Sequence, residues 1–194
     1  PSKSGIGAYS SLVIKHLKSS AIIDIYVEDK YSKKNNKIIG TRIYNYKDFY
    51  KNYNSYEIVL IHMGNSYYHE HMFDLYSFCK DKNIKIITFL HDAFLSGIYN
   101  FLCANQNLAP LYNEEFKVGD TIKSEVANQY GYMQTTINYK NIPDNSLEII
   151  NAIPCTQKIF ENSDLIISHS PYNLHIARFF NPLGFKAKYK IINQ

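Results

Sequence analysis

Three short polar clusters hold the residues of this chain best suited to chemistry: His62-Met63-Gly64-Asn65, His91-Asp92 and His169-Ser170. Each lies at or just beyond the end of an apolar run rich in β-branched residues: 57–63 (EIVLIHM), 84–90 (IKIITFL) and 164–168 (DLIIS). Histidine titrates near neutral pH and can donate, accept or ligate. A carboxylate beside it can brace it or accept a hydrogen bond or proton from a hydroxyl. Parallel α/β sheets bind their ligands beyond the carboxyl ends of the strands. Three such clusters on one edge therefore predict a site. His62, His91 and Asp92 converging from neighbouring strand ends would also suit a metal ion. His69-Glu70-His71 has metal-like composition, but helical residues two apart point in different directions and do not share one ion easily.

A second candidate opens the chain. Gly5, Ile6 and Gly7 stand before an amphipathic helix expected from Ala8 to about Ser19, with Leu12, Val13, His16 and Leu17 on its apolar face. Glycine permits a tight turn and a close backbone approach, and a helix start offers unpaired N–H groups to an anion. The chain is expected to begin inside a phosphate-binding turn, with the preceding strand outside this sequence. Other phosphate and nucleophile signatures are missing. Ser10 stands where a dinucleotide fingerprint needs its third glycine, and no Lys-Ser/Thr follows the glycines. There is no G-x-S-x-G elbow. None of the three cysteines, Cys79, Cys103 and Cys155, directly follows a strand.

The elements that must position these residues alternate. Strands are expected over 21–27, 37–44, 57–63, 84–90, 164–168 and 186–192, and helices over 48–53 and 66–80 and from Pro171, a residue favoured in a first helical turn. The 66–80 helix should bury Tyr67, Phe73, Leu75, Phe78 and Cys79. This order predicts an α/β fold, a Rossmann-like parallel sheet flanked by helices. Residues 93–160 break the rhythm and read as a helical insertion, with Tyr99, Tyr112, Tyr130, Tyr132 and Tyr139 as candidate docking residues. The whole of 1–194 reads as one domain, which its length permits.

Composition narrows the classes. The 194 residues are 45% hydrophobic and 20% charged with a net charge of +4, which fits a folded globular protein. The lysines at 30, 33, 34 and 37 and at 186, 188 and 190 read as solvated tips, so no nucleic acid is expected. They leave peripheral contact with an anionic membrane surface open. The cysteines are odd in number and lack C-x-x-C spacing, which predicts free thiols in a reducing, cytoplasmic setting. No stretch of ~18 apolar residues is present.

Taken in order, Ser4-Gly5-Ile6-Gly7-x-Tyr9, His62-x-Gly64-Asn65 with His69, His91-Asp92, and Ser168-His169-Ser170 after Asp164-Leu165-Ile166-Ile167 resemble the N-terminal half of retaining GT-B glycosyltransferases. The likeness is to the large group of bacterial cell-surface sugar transferases and sucrose synthase-like enzymes, and it runs from Ser4 to the helix after Pro171. It implies a role as the acceptor-binding domain of an enzyme that moves a sugar, with retention, from a nucleotide sugar to a saccharide or lipid-linked acceptor. No cofactor is implied beyond the donor itself. Gly5, Ile6 and Gly7 would approach the donor diphosphate. His91 would line the cleft beside the transferred sugar, and Asp92 would brace that loop or bind the acceptor. His62, Gly64, Asn65 and His69 would shape the acceptor side. Ser170 would lie near the cleft or simply cap its helix. The resemblance also implies a C-terminal domain carrying most of the donor site, so this chain alone is expected to be inactive. The alternative from the residues themselves is a small metal-dependent α/β hydrolase or binding module using His62, His91 and Asp92.

Overall fold

The computed structural model describes residues 5–29, 41–69, 71–95, 97–98, 154–180 and 185–192. Most of the expected insertion, including Cys103 and all five of its tyrosines, lies outside the described residues. The chain divides into two compact units, Pro1–Glu57 and Ile58–Gln194. No linker signal marks Glu57, so composition does not announce this division.

The first unit contains α1 (Gly5–Leu17), β1 (Asp24–Val27), β2 (Arg42–Asn45), α2 (Tyr46–Asn52) and a 3-10 turn, Tyr53–Ser55. Strands β1 and β2 pair in parallel, Asp24 opposite Arg42 and Val27 opposite Asn45. Tyr26 stacks on Tyr44 at 5.4 Å and meets Phe49 and Tyr56 edge-on. The Tyr56 hydroxyl donates to Asp24 Oδ2 at 2.8 Å and lies 2.6 Å from the Tyr26 hydroxyl. Burial, then these bonds, pushes the Tyr56 phenol well above its ordinary range. Asn45 caps α2, its Oδ1 accepting from Lys47 N.

Two expectations for α1 are corrected. Gly5, Ile6 and Gly7 lie within the helix and do not form a turn ahead of it. The Ser10 and Ser11 hydroxyls donate back to the carbonyls of Ile6 and Gly7, as in a regular helix. A side chain at Gly5 would meet nothing within 4 Å, so no close approach demands glycine there. The buried residue of α1 is Ile14, whereas Leu12, His16 and Leu17 are exposed. A 13-residue helix rotated by one position presents a different stripe, and the apolar count alone did not fix which one.

The second unit is α/β. Among the described residues its parallel sheet has four strands in the order β3 (Ile58–Met63), β4 (Lys85–Leu90), β5 (Leu165–Ser168) and β6 (Lys188–Ile191). Helices α3 (Met72–Asp81), α4 (Gln157–Asn162) and α5 (Pro171–Phe180) connect and flank it. Register sets Ile61, Thr88, Ile166 and Tyr189 in one row and His62, Phe89, Ile167 and Lys190 in the next. Alternate residues point to opposite faces. The Ile61 face is the core: Ile61, Met63, Ile86, Thr88, Leu90 and Ile166 are all buried. α3 packs on it through Tyr76, and α4 through Phe160, which stacks on Tyr189.

Helix α3 stops by a recognisable device. Asn83 takes φ 56°, Ile84 N donates to Cys79 O, and Asn83 N donates to Lys80 O. This is the Schellman pattern, with asparagine in the left-handed position that glycine usually fills. The start of α3 differs from expectation. Tyr67–His69 is a 3-10 turn and the α-helix begins at Met72. His69 N donates to Ser66 O, the three-residue bond of that tighter turn. Tyr76, absent from the expected buried stripe, is its largest buried residue.

In the core the Tyr76 hydroxyl lies 2.7 Å from Thr88 Oγ1, which lies 2.8 Å from Ser163 Oγ. Tyr76→Phe leaves the Thr88–Ser163 bond intact and should cost about 1 kcal/mol. Thr88→Val strips partners from both neighbours and should cost about twice as much. Urea midpoints at unchanged slope would check that order. Equal effects would mean that Thr88 does not bridge the two hydroxyls.

Strand β6 forms one edge of the sheet, with Lys188 and Lys190 exposed. Lysines on an edge strand discourage pairing with another chain. This gives the 186–190 basic cluster a structural explanation. Cys79 and Cys155 are buried, and burial pushes the Cys79 thiol up to about 11. Among the described residues no helix is long and apolar enough to cross a membrane.

Candidate functional site

The parallel sheet carries β3, β4 and β5 side by side, so their carboxyl ends open on one edge. His62 sits near the end of β3, His91 directly follows β4, and His169 directly follows β5. The structure brings these three histidines together. His62 Nδ1 lies 3.1 Å from His91 Nε2, a hydrogen bond in which one ring must donate and the other accept. The two rings stack at 5.4 Å with 19° between their planes. His62 also lies flat on Phe89, at 5.0 Å and 6°. His91 and His169 have ring centroids 5.5 Å apart. His169 Nδ1 lies 3.3 Å from the carbonyl of Ile192, which anchors it beside β6.

Burial in this packing favours the neutral forms of His62 and His91. Burial, then the neighbouring histidines, lowers His62 to about 3. Burial, then His169, lowers His91 to about 4, with Asp92 opposing the shift. A proton on either ring would place a charge among buried aromatic faces and beside other imidazoles, which disfavours the charged form.

The loops beyond the strands are tied to one another. His91 N donates to Met63 O at 2.9 Å. Asn65 N donates to Asp92 Oδ2 at 2.6 Å. Asn65 Oδ1 accepts from Gly97 N at 2.8 Å and Ile98 N at 3.3 Å. Gly64 is buried, and its carbonyl accepts from Ser66 N. Asp92 and Asn65 are thus engaged with backbone groups. His69 turns its Nδ1 toward Ser66 O at 3.3 Å, and it still bears electrostatically on His62 and His91.

Ser170 is a helix cap: its Oγ accepts from Tyr172 N at 3.1 Å, at the start of α5. Gly5, Ile6 and Gly7 belong to the other unit. Two contributors escaped sequence reading. Phe89 is the platform on which His62 and His169 stack, at 5.0 and 6.4 Å. Asn173, buried on α5, donates its Nδ2 to Leu90 O at the end of β4. The register of β3 against β4 would have pointed to Phe89. No sequence signal marks Asn173. Among the described residues no three His, Cys, Asp or Glu side chains are arranged to hold a metal ion.

No protein family, curated protein or solved structure matches the chain.

Proposed function

We propose that this chain is the acceptor-binding domain of a retaining GT-B glycosyltransferase, with the His62–His91–His169 edge as its saccharide site. The observation that carries this reading is the cluster of imidazoles at the ends of three successive parallel strands, with His62 and His91 held neutral by burial. A neutral imidazole carries one N–H donor and one nitrogen acceptor, a mixed character that matches sugar hydroxyls. Flat imidazole faces suit the C–H face of a pyranose. Neutral rings supply no countercharge for a departing diphosphate. That charge stabilisation must come from elsewhere, in keeping with an acceptor-side domain.

In this reading the acceptor hydroxyl attacks the anomeric carbon of the donor sugar. The bond from that carbon to the diphosphate breaks, and the hydroxyl proton passes to the leaving oxygen. His91 hydrogen-bonds a hydroxyl of the bound sugar, and Asp92 braces the loop through Asn65 N. The partners are a nucleotide sugar, a saccharide or lipid-linked acceptor and a C-terminal domain. Cytoplasmic location at the inner membrane face belongs to the same proposal.

The test is nucleotide release from a panel of nucleotide sugars, using the protein together with the C-terminal domain this reading calls for. Release that requires a saccharide or lipid extract and survives EDTA is the expected result. The present chain alone should release nucleotide hardly at all. Silence across the panel, or hydrolysis abolished by EDTA, would overturn the reading.

A further inference from the structure

We propose that Asn65 is the positioning residue of the histidine edge, a single side chain and its own amide locking the loop after β3 to the loop after β4. The inference deepens the saccharide-site reading and rests on it.

The geometry is a three-point tie. The last rung between the strands is His91 N to Met63 O, at 2.9 Å. Two residues beyond Met63, Asn65 N donates to the Asp92 carboxylate, next to His91. Asn65 Oδ1 then collects the N–H groups of Gly97 and Ile98, five and six positions beyond Asp92. The chain leaving β4 is therefore held at its exit and again after the bend. His62 precedes Asn65 by three residues, and His91 precedes the tie at Asp92 by one. The 3.1 Å imidazole pair lies between these fixed points.

Gly97 reports how close the tie is. A Cβ there would come within 2.8 Å of Asn65 Oδ1 and within 3.3 Å of its Cγ. That is nearer than side chains tolerate, so any larger residue displaces the amide. Asn65 and Gly97 are both exposed. Hydrogen bonds at such exposed positions add little to stability. Their larger consequence is directional: they decide where the loop carries His91 relative to His62.

The prediction needs no ligand. Long-range 1H–15N spectra of the imidazoles, in the full chain, read tautomer and titration for each histidine. The groups facing the pair are His69, His169 and Asp92. Asn65→Ala and Gly97→Ala should each release the His62–His91 pair, lose its fixed tautomer signature and raise the His91 protonation constant at least tenfold. Far-UV circular dichroism should stay unchanged, with Tm lower by a few degrees. Asn162→Ala, which removes an exposed bond to Lys158 O in α4, serves as the control and should leave the imidazole spectra as they are. Wild-type imidazole spectra in both Asn65→Ala and Gly97→Ala would overturn the proposal. So would the same spectral change in Asn162→Ala, which would reduce the effect to general loosening. Because no sugar is present, failure here is separable from failure of the nucleotide-release test.

Discussion

Lowering the pH from 7.5 to 5 should destabilise the protein by up to about 4 kcal/mol, with most of the loss below pH 6.5. His62 and His91 have ordinary values of 6.5 and are held near 3 and 4. Between about pH 6.5 and 4 the unfolded chain therefore binds protons that the folded chain refuses. Unfolding takes up protons in that window, so stability present above pH 6.5 is lost as the pH falls. Each group alone would contribute about 2 kcal/mol at pH 5, from 1.4 kcal/mol per pH unit. The sum is an upper bound, because both rings are partly open to solvent and their titrations are coupled. Urea unfolding at pH 7.5, 6.5, 5.5 and 5, followed by circular dichroism, measures the slope. His62→Phe keeps a flat ring on Phe89 and removes one titrating group, so its slope should be about half. A midpoint independent of pH in the parent protein would show that the two imidazoles are not held neutral.

His91→Ala should lower kcat/KM for acceptor-dependent nucleotide release about 100- to 1000-fold, the effect of removing one aligned hydrogen-bonding group from a transition state. His91→Gln keeps a donor and an acceptor near the same place and should retain part of the activity. The loss should fall mainly on kcat if His91 meets the transferred sugar, and on the acceptor KM if it meets only the acceptor. His62→Phe removes the partner of His91 Nε2 and should fall between the parent and His91→Ala. Unchanged kcat/KM in His91→Ala, with an unchanged circular dichroism spectrum, would remove His91 from the site.

Much of the second unit was legible in the residues. The runs IVLIHM, KIITFL and LIIS are strands within a residue or two of expectation, because buried parallel strands need unbroken β-branched apolar stretches. The Ser170 cap was legible for a similarly local reason, since serine before proline is a helix-start signal. Local bonding was misread where two local structures compete. Residues 66–71 carry helical periodicity, yet the 3-10 turn at Tyr67–His69 takes the first part. Gly5–Gly7 looked like a turn, and the helix absorbed them.

The sequence by itself determined that this chain alternates strands with helices and that each of three apolar strands ends in a histidine, since both are properties of neighbouring residues. Only the tertiary structure decided that those histidines meet. The 3.1 Å contact joins residues 29 positions apart. The Asn65 tie spans 27 to 33 positions. The Thr88–Ser163 bond spans 75. Such pairings depend on strand order and register, and those are set by which apolar faces bury together and not by any local run of residues.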